Sequence, residues 1–152
     1  MKKFFTLPAL VALAVIVVNG LPKAVAGDEG WTTDYKKAVE QAKAEKKLVL
    51  LDFTGSDWCG WCKKLDREVF SQAKFKEYAA KNLILVTVDF PQAKEQTVAV
   101  KKQNQALQDQ FKVDGYPTII MLNGDGKKVG ELGYMEGGAE AFVAALEKVP
   151  RN

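Results

Sequence analysis

Cys59 and Cys62 are the only cysteines in the chain, and only Gly60 and Trp61 separate them. On a helix, residues at i and i+3 have Cα atoms about 5 Å apart, from a rise of ~1.5 Å and ~3.6 residues per turn. That lies within the ~4.4–6.8 Å window of a disulfide. The two sulfurs can therefore join and part while the backbone stays still. Cys59 would stand at the helix start, where free N–H groups and the dipole favour a thiolate. Cys62 would sit one turn deeper and less exposed. One attacking and one resolving thiol are what thiol–disulfide exchange requires. The competing reading is a static cystine. Closing a four-residue loop extrapolates to about 2 kcal/mol, against about 4.7 for a 100-residue loop. A staple would serve better between distant segments, so the pair reads as a redox site.

Other chemistries are poorly supplied. The chain has no histidine, and a structural zinc site takes four ligands, usually Cys and His. No metal and no cofactor are expected. Residues 1–26 differ from the rest: Met1-Lys2-Lys3, an unbroken apolar run from Ala9 to Val18, then Ala24-Val25-Ala26. Basic start, short apolar middle and small residues at a cleavage point describe a secretory signal peptide. A membrane span needs roughly 20 apolar residues, about twice this run. Cleavage after Ala26 is expected, leaving residues 27–152 as one domain with no stable membrane insertion. Taking away Lys2, Lys3 and Lys23 leaves 19 basic residues against 19 acidic ones. A near-neutral mature chain gives no reason to expect nucleic acid as a partner.

The elements that must position the cysteines are legible in the apolar pattern. Thr33 or Asp34 can cap a helix with Tyr35, Ala38, Val39 and Ala42 on one face. Leu48 to Phe53 is a continuous apolar run, interrupted only by Asp52, and predicts a strand covered on both faces. Thr54 to Asp57 turns the chain into a helix from about Cys59 to Val69, and a second helical segment spans Gln72 to Lys81. Leu83 to Val88 predicts another central strand. Residues 95–112 read as a helix, with Val100, Leu107 and Phe111 inward. Thr118 to Leu122 and Lys127 to Leu132, joined by Asn123-Gly124-Asp125-Gly126, predict a hairpin whose second strand lies at an edge. A last helix follows Gly137-Gly138. Strands separated by helices imply an α/β fold: a mixed sheet of about four strands with helices on both faces.

Phe53, Trp58-Cys59-Gly60-Trp61-Cys62-Lys63, Gly115-Tyr116-Pro117-Thr118, Gly126-Lys127 and Gly133-Tyr134, in that order, resemble the thioredoxin superfamily. The likeness runs from Trp31 onward. It is similar to exported members with a Ser-Asp-Trp-Cys-x-x-Cys-Lys signature, including the thioredoxin-like domain of the bacterial membrane thiol reductase. The resemblance implies the thioredoxin fold and a cis bond before Pro117. It also implies a loop, Tyr116-Pro117, that faces the cysteines and pairs with extended substrate. It places Asp52 near the family's buried acid, a proton carrier for Cys62. Here six residues intervene between that acid and Cys59, where thioredoxin has five. The lysine that accompanies the acid in thioredoxin is missing from Leu85-Val86-Thr87-Val88.

The expected function is an exported thiol–disulfide oxidoreductase, periplasmic or secreted and monomeric. Cys59 is the nucleophile, Cys62 the resolving thiol, and protein disulfides or thiols the substrates. An electron donor or acceptor is required, for which a membrane thiol reductase is a candidate. Reduction is favoured over oxidation or isomerisation, since Gly60-Trp61 lacks the His that destabilises a disulfide. Trp61 and Tyr116 are expected on an apolar rim, Trp58 in the core, and Asp57 as a helix cap whose charge opposes the thiolate. The alternative is a binding module or holdase on the same fold with a static disulfide.

Overall fold

Leu48 to Phe53 and Leu83 to Val88 lie side by side at the centre of the sheet. The computed structural model describes residues 30–151, so the expected signal peptide lies outside the described residues. In chain order the elements are β1 (Trp31–Thr32), α1 (Tyr35–Glu45), β2 (Leu48–Thr54), α2 (Gly60–Leu65), a π-helical turn (Asp66–Phe70), α3 (Ala73–Asn82), β3 (Leu83–Asp89), α4 (Val98–Phe111), β4 (Thr118–Leu122), β5 (Lys128–Leu132) and α5 (Gly138–Glu147). The sheet order is β1-β3-β2-β4-β5. β2 runs parallel to β3 and antiparallel to β4, and the hairpin adds β5 at one edge.

Period-two alternation decides which face each residue serves. Leu48 and Leu50 pack with Leu65, Phe70, Phe75 and Phe142, the core beneath α2, α3 and α5. Val49, Leu51 and Phe53 pack with Ala38, Ala42 and Leu107, the core beneath α1 and α4. Asp52 shares the parity of Leu48 and Leu50, and so belongs to the face that carries the cysteine helix.

Three boundaries depart from expectation. A fifth strand exists: Trp31 and Thr32 pair with Leu85 and Val86, and the Trp31 ring lies 5.1 Å from that of Phe70. The helix expected from Cys59 to Val69 stays α-helical only to Leu65, then widens through Asp66–Phe70. The helix expected from residue 95 begins at Val98, because the Thr97 side chain accepts the Val100 N–H and caps it. Asp34 caps α1 by accepting from the Lys37 N–H.

Candidate active site

The redox turn is built where β2 leaves the sheet. Because β4 is antiparallel to β2, with Phe53 opposite Thr118, the Tyr116-Pro117 loop emerges at the same end as the turn. The Tyr116–Pro117 bond is cis, and the Thr118 hydroxyl donates to the Gly115 carbonyl at 2.8 Å.

Cys59 is the N-cap of α2: its backbone is extended and its Sγ accepts the Cys62 N–H at 3.2 Å. The sulfurs form a disulfide with Cα atoms 5.3 Å apart. Exposure hardly separates the two residues, at 6 % and 5 %. Their surroundings do. Cys62 lines a cavity of about 610 Å³ that Asp52, Asp66 and Thr87 also line. Cys59 stands between two tryptophans, with Trp58 44 % and Trp61 58 % exposed.

Asp52 is 9 % exposed, and its Oδ1 has no hydrogen-bond partner among the described residues. Burial pushes the carboxyl up to about 8, with the charges of Asp66 and Asp89 adding to the effect. Thr87 lies opposite it in the register of β3, so that strand position offers no cation. Asp52 and Cys62 both line this cavity.

Two expectations about the turn are corrected. Asp57 does not cap α2, because Cys59 does. Its carboxylate instead accepts the backbone N–H groups of Gln92, Ala93 and Lys94, at 3.0, 2.7 and 3.0 Å. These bonds, Gln92's first, hold it below the usual carboxylate range. Trp58 is not core. Its indole lies over Gly55, where an added Cβ would come within 2.6 Å of Nε1. Its N–H donates to the Phe90 carbonyl at 2.9 Å. Glycine is the residue that leaves room for this seat.

The rim has two walls. On one side Tyr116 stacks on Phe90 (centroids 5.3 Å, planes 19° apart) and meets Trp58 edge-on at 6.0 Å. On the other, Trp61 lies 5.1 Å from Tyr134, and the Lys64 ammonium sits 5.0 and 4.9 Å from the two rings, within cation–π range. The Tyr134 hydroxyl donates to Glu68 at 2.8 Å. Sequence reasoning missed Phe90, Lys64 and the contacts of Tyr134. Phe90 carried one signal, an aromatic residue in a break directly after a buried strand.

A family model described as a thioredoxin-like domain matches residues 35–150. The disulfide bond reductase DsbH of Chlamydia pneumoniae is 37 % identical over 113 residues, covering 74 % of this chain and 68 % of that protein. The thiol:disulfide interchange protein DsbD of Klebsiella pneumoniae is 34 % identical over 113 residues, but the match spans only 17 % of its length. A solved structure of a DsbH oxidoreductase superposes with a TM-score of 0.74 at 33 % identity, covering 84 % of this chain and 92 % of that one. With a paired Cys-x-x-Cys at the start of a helix, on the sheet order described above, the chain belongs to the thioredoxin-like family, as a thiol–disulfide oxidoreductase.

Proposed function

We propose that the protein is an exported reductase of protein disulfides, acting in the periplasm or as a secreted protein. The observation that carries the reading is the Cys59 sulfur accepting the Cys62 N–H, with Cys62 sharing its cavity with a buried acid. A donor at Sγ favours the thiolate and makes Cys59 the nucleophile. In the reduced protein the Cys59 thiolate attacks one sulfur of a substrate disulfide. That bond breaks, a mixed disulfide forms, and the released substrate sulfur takes up a proton. Asp52, ionised for the step, takes the Cys62 proton. A carboxyl near 8 is well matched to a thiol of ordinary pKa, about 8.5. Cys62 then attacks Cys59, the substrate leaves with both sulfurs reduced, and the protein holds the disulfide. Two electrons from a thiol donor restore it. A membrane thiol reductase is a fitting donor.

Trp61, Tyr116 and Pro117 form the substrate face. The direction rests on the Gly60-Trp61 dipeptide, which has no histidine, and on the likeness to a protein named a disulfide bond reductase. The test is the equilibrium potential against glutathione, with insulin reduction beside it. A value near about −270 mV is expected, and one near about −120 mV would make the protein an oxidant. Export is tested separately. Expressed with residues 1–26 in a Gram-negative host, the protein should appear in the periplasm with Gly27 as its first residue. Retention in the cytosol with Met1 intact would refute export and leave the redox chemistry standing.

A further inference from the structure

The backbone on either side of the site is sewn together by side chains. Ser56 donates its N–H and hydroxyl to the Asp89 carboxylate, at 2.9 and 2.6 Å. The Phe90 N–H donates to the Thr54 carbonyl at 2.8 Å. Asp57 then gathers the next three free N–H groups, those of residues 92–94. This segment, leading from β3 towards α4, belongs to no strand or helix, so its amides have no ladder to satisfy them.

The contacts close a ring. Asp57 holds residues 92–94. That segment continues from Phe90, whose carbonyl accepts the Trp58 indole N–H and whose ring stacks on Tyr116. Tyr116 meets the edge of Trp58, and Trp58 is bonded to Asp57 in the chain. The row Trp58–Tyr116–Phe90 is thus linked to the Asp57 carboxylate through residues 92–94.

We propose that Asp57 is a positioning residue for substrate binding: by holding the turn at residues 92–94 it sets the aromatic row beside Cys59 on which a polypeptide substrate lies. The inference rests on the reductase reading for its substrate. A carboxylate is suited to the task because it has lone pairs for several N–H donors, which a neutral side chain of this size matches poorly. Its charge is taken up by the loop, which also explains how an acid is accommodated two residues before the nucleophile.

The test replaces Asp57 with Ala and with Asn, and separately makes Gly55→Ala, which displaces Trp58 from its seat while leaving Asp57 intact. Steady-state insulin reduction should show KM raised about tenfold in Asp57→Ala and Gly55→Ala, with kcat changed less than about threefold. Asp57→Asn, which keeps one acceptor oxygen, should fall between. In a Trp31→Phe, Trp61→Phe background, Trp58 emission should shift to the red and become more open to acrylamide on Asp57→Ala. Unchanged emission would overturn the positioning role. Freed emission with unchanged KM would show that the row does not carry substrate. A fall in kcat with KM unchanged in both Ala variants would reduce the effect to general damage. The reductase reading is judged on the wild type alone. If the wild type oxidises instead, the KM ratio is read in that direction. If it does neither, the substrate role falls, and the emission arm still decides the ring of contacts.

Discussion

Cys59→Ser is expected to remove disulfide reduction altogether, by more than about a thousandfold. A serine hydroxyl has no accessible anion at neutral pH, and the thiolate is the species that attacks. Cys62→Ala is expected to behave differently. Attack survives, resolution does not, and the protein accumulates as a covalent adduct with its substrate. The asymmetry follows from the hydrogen bond at the helix start, where Cys59 Sγ receives an N–H. Non-reducing gels and intact-mass measurement distinguish the two variants. Adducts on Cys59→Ser and none on Cys62→Ala would reverse the assigned roles. Neither variant should unfold the domain, since a four-residue disulfide loop contributes only about 2 kcal/mol.

Asp52→Asn should carry the second large effect, with opposite signs for stability and for turnover. In the folded protein the carboxyl keeps its proton up to about 8, while the unfolded chain releases it from 3.8 upward. Between those values the folded state binds one proton more, so stability falls as pH rises, by ~1.4 kcal/mol per pH unit. Asparagine removes that loss. The variant should match the wild type near pH 3.8 and gain steadily above it. At pH 7 the full shift would give about 4 kcal/mol, and relaxation around the buried acid brings the expected gain to about 2–4 kcal/mol. The gain should level off above pH 8. Urea denaturation of the oxidised forms at pH 4 and pH 7 measures it, and equal gains at both would refute the assignment. Release of reduced product from the mixed disulfide should meanwhile slow about a hundredfold, the ordinary contribution of a general base. An unchanged rate would leave Asp52 a structural burden without a part in proton transfer.

The parts of this protein that could be read from its sequence are those governed by short-range pattern. Leu48 to Phe53 and Leu83 to Val88 announce central strands because burial on both faces forces an unbroken apolar run. The i, i+3 thiols mark the site because their chemistry needs that spacing, and Tyr116-Pro117 is marked through the resemblance to the thioredoxin superfamily. Trp31-Thr32 was illegible as a strand: two residues carry no period, and their pairing with Leu85 and Val86 is wholly tertiary. Trp58 misled because large aromatics usually lie inside. Its exposure depends on a glycine seat and on a carbonyl 32 residues away. Asp57 misled for the same reason, as its three donors lie 35–37 residues further on. A helix cap is a local alternative that looks equally good in sequence. The π-helical turn has no compositional mark at all. Asn104 lies in the helix expected over residues 95–112, where a polar side chain ordinarily faces water, yet it is buried and donates to the Asp89 carbonyl at 2.9 Å.

β2 has a neighbour on each side, and all seven of its residues are buried. Its amides can be released only when the sheet itself comes apart. The turn at residues 91–97 has no ladder partner and is held through side chains, so it opens at a much smaller cost in free energy. Fluctuation is therefore graded across a few residues. The sulfurs stand on the turn and helix that leave β2 directly, and Phe90, in the wall beside them, adjoins a part that yields early. Tolerance for substrates of different shape then resides in the wall, while the geometry of electron transfer stays the same from one substrate to the next.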